Sequence, residues 1–325
     1  MRTRIAIIIV LLCMAASPLM AQEAAKNLLT QQDVIQVIKK NKKDPDTVIK
    51  TLHDQGVEFD LDRDIEKKMR KAGATDQILQ AIWAAGPTVR NFKGAVLTSA
   101  TGTPLEANYE EAMGFQTLQK EMDPDRKISM VSEFEREFPH SQLLSYVYTQ
   151  AASAYEAKGD FANAALAGQK SLKLDPDNIF SLLVVATALS EPSMSGPNSD
   201  NAAKNLLEAE ADARRALELA DKMPAREGEA EEQLNARKSG LASDAHAALG
   251  AAAMLKDNLG EAVSQFKQAI SMAAQPKASL YFRLGEIYAN TGHKQDAIDA
   301  FTKAAEIGRG TVIETYANQS IKELQ

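Results

Sequence analysis

Asp60, Asp62 and Asp64 alternate along the segment DLDRDI, a spacing that can present three carboxylates to a calcium ion. The rest of a calcium loop is absent, because Ile65 stands where the sharp turn demands Gly and Lys71 where a bidentate Glu is needed. These carboxylates read instead as a helix start, where they accept from free backbone N–H groups and complement the helix dipole. His53, His140, His246 and His293 are scattered, with no HExxH pair and no neighbouring ligand set, so they read as ordinary surface or turn residues. No glycine-rich phosphate loop and no GxSxG elbow occurs. The residue types therefore point to a non-catalytic protein without a cofactor or metal. Lys39, Lys40, Lys42 and Lys43 form a basic run, but Asp33, Asp44 and Asp46 lie beside it, as on a solvated face. Trp83, the only tryptophan, shares an apolar stripe with Leu79 and Ile82 and reads as core.

Such residues need positioning elements, and the composition suits packed helices: 45% hydrophobic, 25% charged and only 6% aromatic over 325 residues. Residues 1–21 stand apart. Arg2 and Arg4, the apolar run from Ile5 to Met14 and the small residues up to Ala21 have the three-part order of a secretory signal peptide, with cleavage expected after Ala21. The apolar run is shorter than the roughly 20 residues that span a bilayer, so a soluble exported protein, periplasmic or secreted, is expected. Cys13 is the only cysteine, and Leu12 before it is too large for a lipid-attachment signal. Cleavage would leave no thiol. It would also take Arg2 and Arg4 from the 37 Lys and Arg, which against 44 Asp and Glu leaves −9, an acidic balance that argues against nucleic acid or anionic lipid as partner.

Helix punctuation is legible in residues 30–86. Thr30 caps DVIQVIKK, Asp44-Pro45 starts a second helix that Gly56 ends, a third lies near Asp62 to Lys71 before Gly73, and Thr75 caps a fourth. LTQQDVIQVIKK and RKAGATDQILQAI are similar to a small helical module found in secreted bacterial proteins. Residues 87–105 lack a helical period and carry Gly94, Gly102 and Pro104, as an exposed linker with one short extended piece would.

From residue 106 a longer pattern begins. In ASLYFRLGEIYANTGHKQDAIDAFTKAAEIGRGT, residues 278–311, small residues Gly285, Ala297 and Ala304 alternate with Leu284, Tyr288 and Phe301, as two antiparallel helices in close approach require. This unit resembles a tetratricopeptide repeat, a helix-turn-helix of about 34 residues. The position of Gly285 recurs at Gly250, Ala186, Ala152 and Phe115, in backward steps of 35, 64, 34 and 37 residues. The long step contains an insertion at 191–201, EPSMSGPNSDN, and a linker near 223–242. Repeat units are thus expected near 108–141, 145–178, 179–223, 243–276 and 278–311. Residues 312–325 follow as a capping helix with Ile313, Tyr316, Ser320 and Leu324 on its buried face.

The resemblance implies an all-α fold, a right-handed α-solenoid of about five such units behind the small helical module. It also implies a concave face lined by set positions of each first helix. Carried over, these include Tyr146, Thr149, Ser153 and Glu156, then Phe180, Leu183 and Thr187, then Asp244, then Phe282 and Glu286. The remaining positions are Ser190, Ala247, Ala251, Met254, Ser279 and Ala289, and none of the sixteen is Lys, Arg or Asn. That disfavours the carboxylate grip of chaperone-binding relatives and favours a protein or peptide with apolar side chains and some positive charge. Two alternatives stay open. FPHSQLLSYVYTQAASAY is similar to the repeat lipoproteins of outer-membrane barrel assembly, which implies a structural subunit of an envelope complex. An enzyme with an unrecognised site between the module and the solenoid is the other.

Overall fold

The computed structural model describes residues 28–87, 89, 97–98, 104–105, 107–197, 199–225 and 229–325. The expected signal peptide and most of the expected linker lie outside these residues. The chain divides into two compact units, residues 1–91 and 92–325.

In the first unit the polar residues at helix starts do what their chemistry suggests. Thr30 and Asp33 form a reciprocal capping box on α1, Gln31–Lys40, and Asp44 accepts from the Thr47 N–H at the start of α2, Pro45–Gln55. Asp62 accepts from the N–H groups of Asp64 and Ile65 and so caps α3, Arg63–Ala72. The alternating aspartates are thereby accounted for in part as a helix cap. Gly73 ends α3 at φ 109, a conformation that costs a residue with a Cβ far more, and Thr75 caps α4, Asp76–Ala84. Helices α1 and α3 pack together, as do α2 and α4, around Val34, Ile38, Leu52, Met69, Leu79 and Ile82; Trp83 is buried with them.

The second unit opens with two paired two-residue strands, β1 Leu97–Thr98 and β2 Pro104–Leu105, where one extended piece was expected. Helices then follow in consecutive pairs. They are α5 Tyr109–Lys120 with α6 Pro124–Glu137, α7 Leu144–Ala157 with α8 Phe161–Leu174, and α9 Ile179–Leu189 with α11 Ala202–Lys222. The 25-residue α12 Glu231–Leu255 then pairs with α13 Leu259–Met272, and α14 Ala278–Asn290 with α15 Lys294–Ile307, before the closing α16 Val312–Leu324. Each helix packs mainly on its chain neighbours, which makes this unit an α-solenoid.

Close approach within the pairs depends on small residues. A Cβ on Gly285 would lie 2.6 Å from the Phe301 ring, and one on Gly250 2.7 Å from the Phe266 ring. In the 145–178 pair the arrangement is exchanged: Gly168 occupies the place of those aromatics, and its missing side chain admits Val185 from α9, whose Cγ2 would be 2.5 Å from a Cβ there. In the first pair the residue at the crossing is Gly114, where a Cβ would lie 3.2 Å from the Phe134 ring, rather than the aligned Phe115, which faces the core instead.

Three expectations change. The insertion at 191–201 contains a one-turn helix, α10 Pro192–Ser195, and is tied down: the Ser195 hydroxyl donates to the Leu189 carbonyl at 2.6 Å, and Asn205 Nδ2 donates to the Met194 carbonyl at 2.7 Å. A short helix forms despite two prolines because Pro192 stands in its first turn, where no N–H is needed. On α16 it is Ala317 that is buried, with Ile313, Ile321 and Leu324 packed around it, while Tyr316 is 58% exposed. His246 is buried rather than superficial, because a neighbouring helix supplies Gln265, whose Oε1 lies 2.6 Å from its Nδ1.

Asp212 on α11 has a buried, unbonded Oδ2, and burial together with nearby Glu208 pushes its carboxyl up to about 7. The folded state therefore holds its proton where the unfolded chain has lost it, and this residue's contribution to stability falls as pH rises from about 4 to about 7. Asp212→Asn, which keeps the volume and removes the charge, is expected to raise the thermal midpoint at pH 8 and to leave it nearly unchanged at pH 4. Equal shifts at both pH values would show that the charge is not the cause.

Candidate functional site

The first helices of four consecutive pairs share one cavity of about 410 Å³. Helix α7 contributes Ser153 and Glu156, α9 contributes Phe180, Leu183 and Thr187, α12 contributes Leu241, Asp244, Ala247 and Ala251, and the α14 region contributes Lys277, Ser279, Leu280 and Arg283. A second cavity of about 330 Å³ adjoins it and shares Phe180, Leu241, Asp244 and Lys277, so the two form one groove with Phe180 between them. Phe180 is 48% exposed on α9, a helix whose other large apolar side chains are buried. Phe180 follows Asn178, the α9 cap, by two residues and points away from the core that buries Ile179, Leu182 and Leu183.

Charge in the groove is mixed and mostly paired. Lys277 Nζ donates to Asp244 at 2.8 Å. The Arg283 guanidinium lies 3.8 Å from both Glu191, in the insertion, and Glu286, one helical turn along α14. That distance gives attraction without a hydrogen bond, and the Glu286 Oε2 is buried and unbonded. Burial pushes the carboxyls of Glu156, Glu191 and Glu286 above their usual range, with Lys277 opposing the shift at Glu156 and Arg283 opposing it at the other two. Among the described residues Glu156 makes no hydrogen bond and no ion pair, although Glu191 and Asp244 are close enough to raise its pKa further.

Of the sixteen side chains expected on this face, Ser153, Glu156, Phe180, Leu183, Thr187, Asp244, Ala247, Ala251 and Ser279 line the groove. Seven do not, Ser190, Met254 and Ala289 among them. Tyr146 is buried among Phe115, Leu143 and Val147, and Thr149 is buried in a hydroxyl network with Ser145, Ser171, Asn178 and Ser181. Phe282 packs on the Phe301 ring at 5.3 Å, and Glu286 lies beside Arg283 outside the lining. Sequence reasoning missed Glu191, Lys277 and Arg283, and Arg237 in the smaller cavity, so the groove carries three cations although the sixteen positions carry none. A signal for one of them was available. Lys277 follows Asp244 by 33 residues, as Asn178 follows Ser145, and Ser181 follows Thr149 by 32. Polar residues just under one repeat period apart meet across neighbouring first helices.

In three of the five pairs the turn between the helices takes a left-handed residue: Gly159 and Gly292 adopt φ 72 and 78, and at the equivalent place in the 231–272 pair Asp257 adopts φ 58. With helix lengths, crossings and this turn in place, the family match follows: tetratricopeptide repeat models match residues 145–178 and 278–310. These two segments are tetratricopeptide repeats. Of the pairs between them, 231–272 carries the same crossing at Gly250 behind a longer first helix, and 179–222 brings the small Ala186 and Ala213 together around an insertion and a longer second helix.

Among solved structures the chain is similar to a thermophilic tetratricopeptide repeat protein of Thermus thermophilus, at 15% identity and a TM-score of 0.47, over 64% of this chain and 95% of that one. It is also similar to PilW, a type IV pilus biogenesis factor, at 15% identity and 0.45, over 67% and 91%. A tetratricopeptide repeat protein from Parabacteroides merdae matches at 15% identity and 0.35, over 90% and 99%. No curated protein matches the sequence. No helix among the described residues is long and apolar enough to cross a membrane.

Proposed function

We propose that this protein is an exported, non-catalytic scaffold whose tetratricopeptide repeats hold a segment of a partner protein in the groove. The observation that carries this reading is Phe180, a half-exposed aromatic between two adjoining cavities, ringed by Leu183, Leu241 and small residues. An apolar side chain kept out of a core that has room for its neighbours is what a binding anchor looks like. The packing positions of the repeats are used up in holding helices together, which leaves the groove residues free to specialise. Export is supported by the order of charged, apolar and small residues in 1–21.

A photoreactive phenylalanine analogue at Phe180 is expected to trap a defined partner in intact cells. The same analogue at Leu207, which is 66% exposed on α11 and lines neither cavity, is expected not to. Equal trapping at both sites would remove the groove from the proposal. Mass spectrometry of the trapped protein also tests export: its chain should begin at or near Gln22, and an intact Met1 would count against it.

A further inference from the structure

The groove's charges also say what kind of segment it takes, an inference that rests on the groove being the binding face. We propose that the occupant is an extended peptide segment carrying a lysine or arginine beside an aliphatic side chain, the cation set against Glu156 and Glu191 and the aliphatic group against Phe180.

Size comes first. The groove is two compartments, of about 410 and 330 Å³, with Phe180 lining both. An extended segment turns successive side chains to opposite sides, so neighbouring side chains of one short stretch can enter different compartments.

Sign comes next. Four carboxylates, Glu156, Glu191, Asp244 and Glu286, stand in or beside the larger cavity with two cations, Lys277 and Arg283. Lys277 is engaged by Asp244 at 2.8 Å, and Arg283 is divided between Glu191 and Glu286 at 3.8 Å each. Neither cation is free to receive an acidic ligand without giving up a partner. Glu156 has no hydrogen bond or ion pair to give up; Lys277, already held by Asp244, attracts it, and the like charges of Glu191 and Asp244 oppose it. A cationic side chain entering here relieves that repulsion, and it gains from a partly dehydrated site, where a charge pair is worth more than in open water. The Thr187, Ser153 and Ser279 hydroxyls that line the same cavity can meet the backbone of an extended segment.

The test is selection from a displayed library of random short peptides on the full chain, with counter-selection against Phe180→Ala. The recovered peptides are expected to carry Lys or Arg next to Leu, Ile, Val or Met. Titrated by fluorescence anisotropy, they should bind Glu156→Gln about tenfold more weakly, and their affinity for that variant should depend less on salt. Lys-to-Gln peptides should lose about the same factor on the native chain and no further factor on Glu156→Gln. Both protein variants change groove-lining side chains, and their thermal midpoints confirm folding. A Phe180-dependent pool rich in Asp and Glu, or in apolar residues alone, overturns the proposal while leaving the groove as the binding face. A pool that binds Phe180→Ala as well, or no enrichment at all, overturns both. Concentration-dependent self-association abolished by Phe180→Ala would assign the groove to a second copy of the chain and equally overturn the proposal.

Discussion

Gly285→Val is expected to destabilise the last repeat pair and the closing helix by about 3 kcal/mol, the upper end of what overpacking usually costs. The crossing of α14 and α15 is the reason. A Cβ at this position would stand 2.6 Å from both Cδ1 and Cε1 of Phe301, and valine adds two methyl groups beyond it. Phe301 has nowhere to go, since it is 2% exposed among Ala297, Ala304 and Ala317 and also packs against the Phe282 ring. Replacing glycine in a helix recovers only a few tenths of a kcal/mol of propensity when the newcomer is valine, so the clash decides the sign. Gly240→Ala on α12 is the contrasting control: nothing lies within 4 Å of a Cβ there, and the substitution should stabilise by up to about 1 kcal/mol. Urea unfolding gives both values. Because coupling in a repeat array runs through nearest neighbours, hydrogen exchange should rise in α14 to α16 and stay unchanged in residues 30–86. Adding Phe301→Ala should cost less in the valine background than in the native one. A strictly additive double mutant would mean that the ring is not what valine meets.

Asn178→Ala is expected to cost about 3 kcal/mol, because one side chain serves two purposes. Its Oδ1 accepts from the Ser181 N–H and caps α9, a role whose loss costs about 1 kcal/mol. Its Nδ2 donates to Ser145 at 2.8 Å and reaches Thr149 and Ser171 at 3.2 and 3.3 Å, in a fully buried network that joins α7, α8 and α9. Alanine would leave those hydroxyls short of a donor, and an unsatisfied buried polar group costs about 1–3 kcal/mol. The size of the effect depends on the rest of the network remaining polar. In a background of Ser145→Ala, Ser171→Ala and Thr149→Val the same Asn178→Ala should cost little more than the cap. If the cost is the same in both backgrounds, the hydroxyls do not depend on Asn178.

The distribution of local signals along the chain determined the helices. Thr30, Asp44, Asp62 and Thr75 announce starts because a short polar side chain reaches the unpaired N–H groups of the first turn, and each of them is a cap in the structure. Gly250 and Gly285, each 16 residues before a buried phenylalanine, announced the repeat crossing, since small-against-large contact between paired helices is written at fixed separation. What lies on which side of a helix in the assembled stack is a different kind of fact. Tyr146 and Thr149 share the helix α7 with Ser153 and Glu156, yet the neighbouring pairs cover the first two and leave the second two facing the groove. Helix α16 turned Ala317 inward and Tyr316 outward for the same reason, because the shape of the surface it covers selects the face. Glu191 and Arg283 come together across a separation that no periodicity reports, through an insertion that folded into a turn of helix instead of a free loop. Caps and crossings depend on residues within one repeat, so the sequence by itself determined them; the groove's lining and its charge balance depend on how successive repeats rotate against one another, which only the tertiary structure decided.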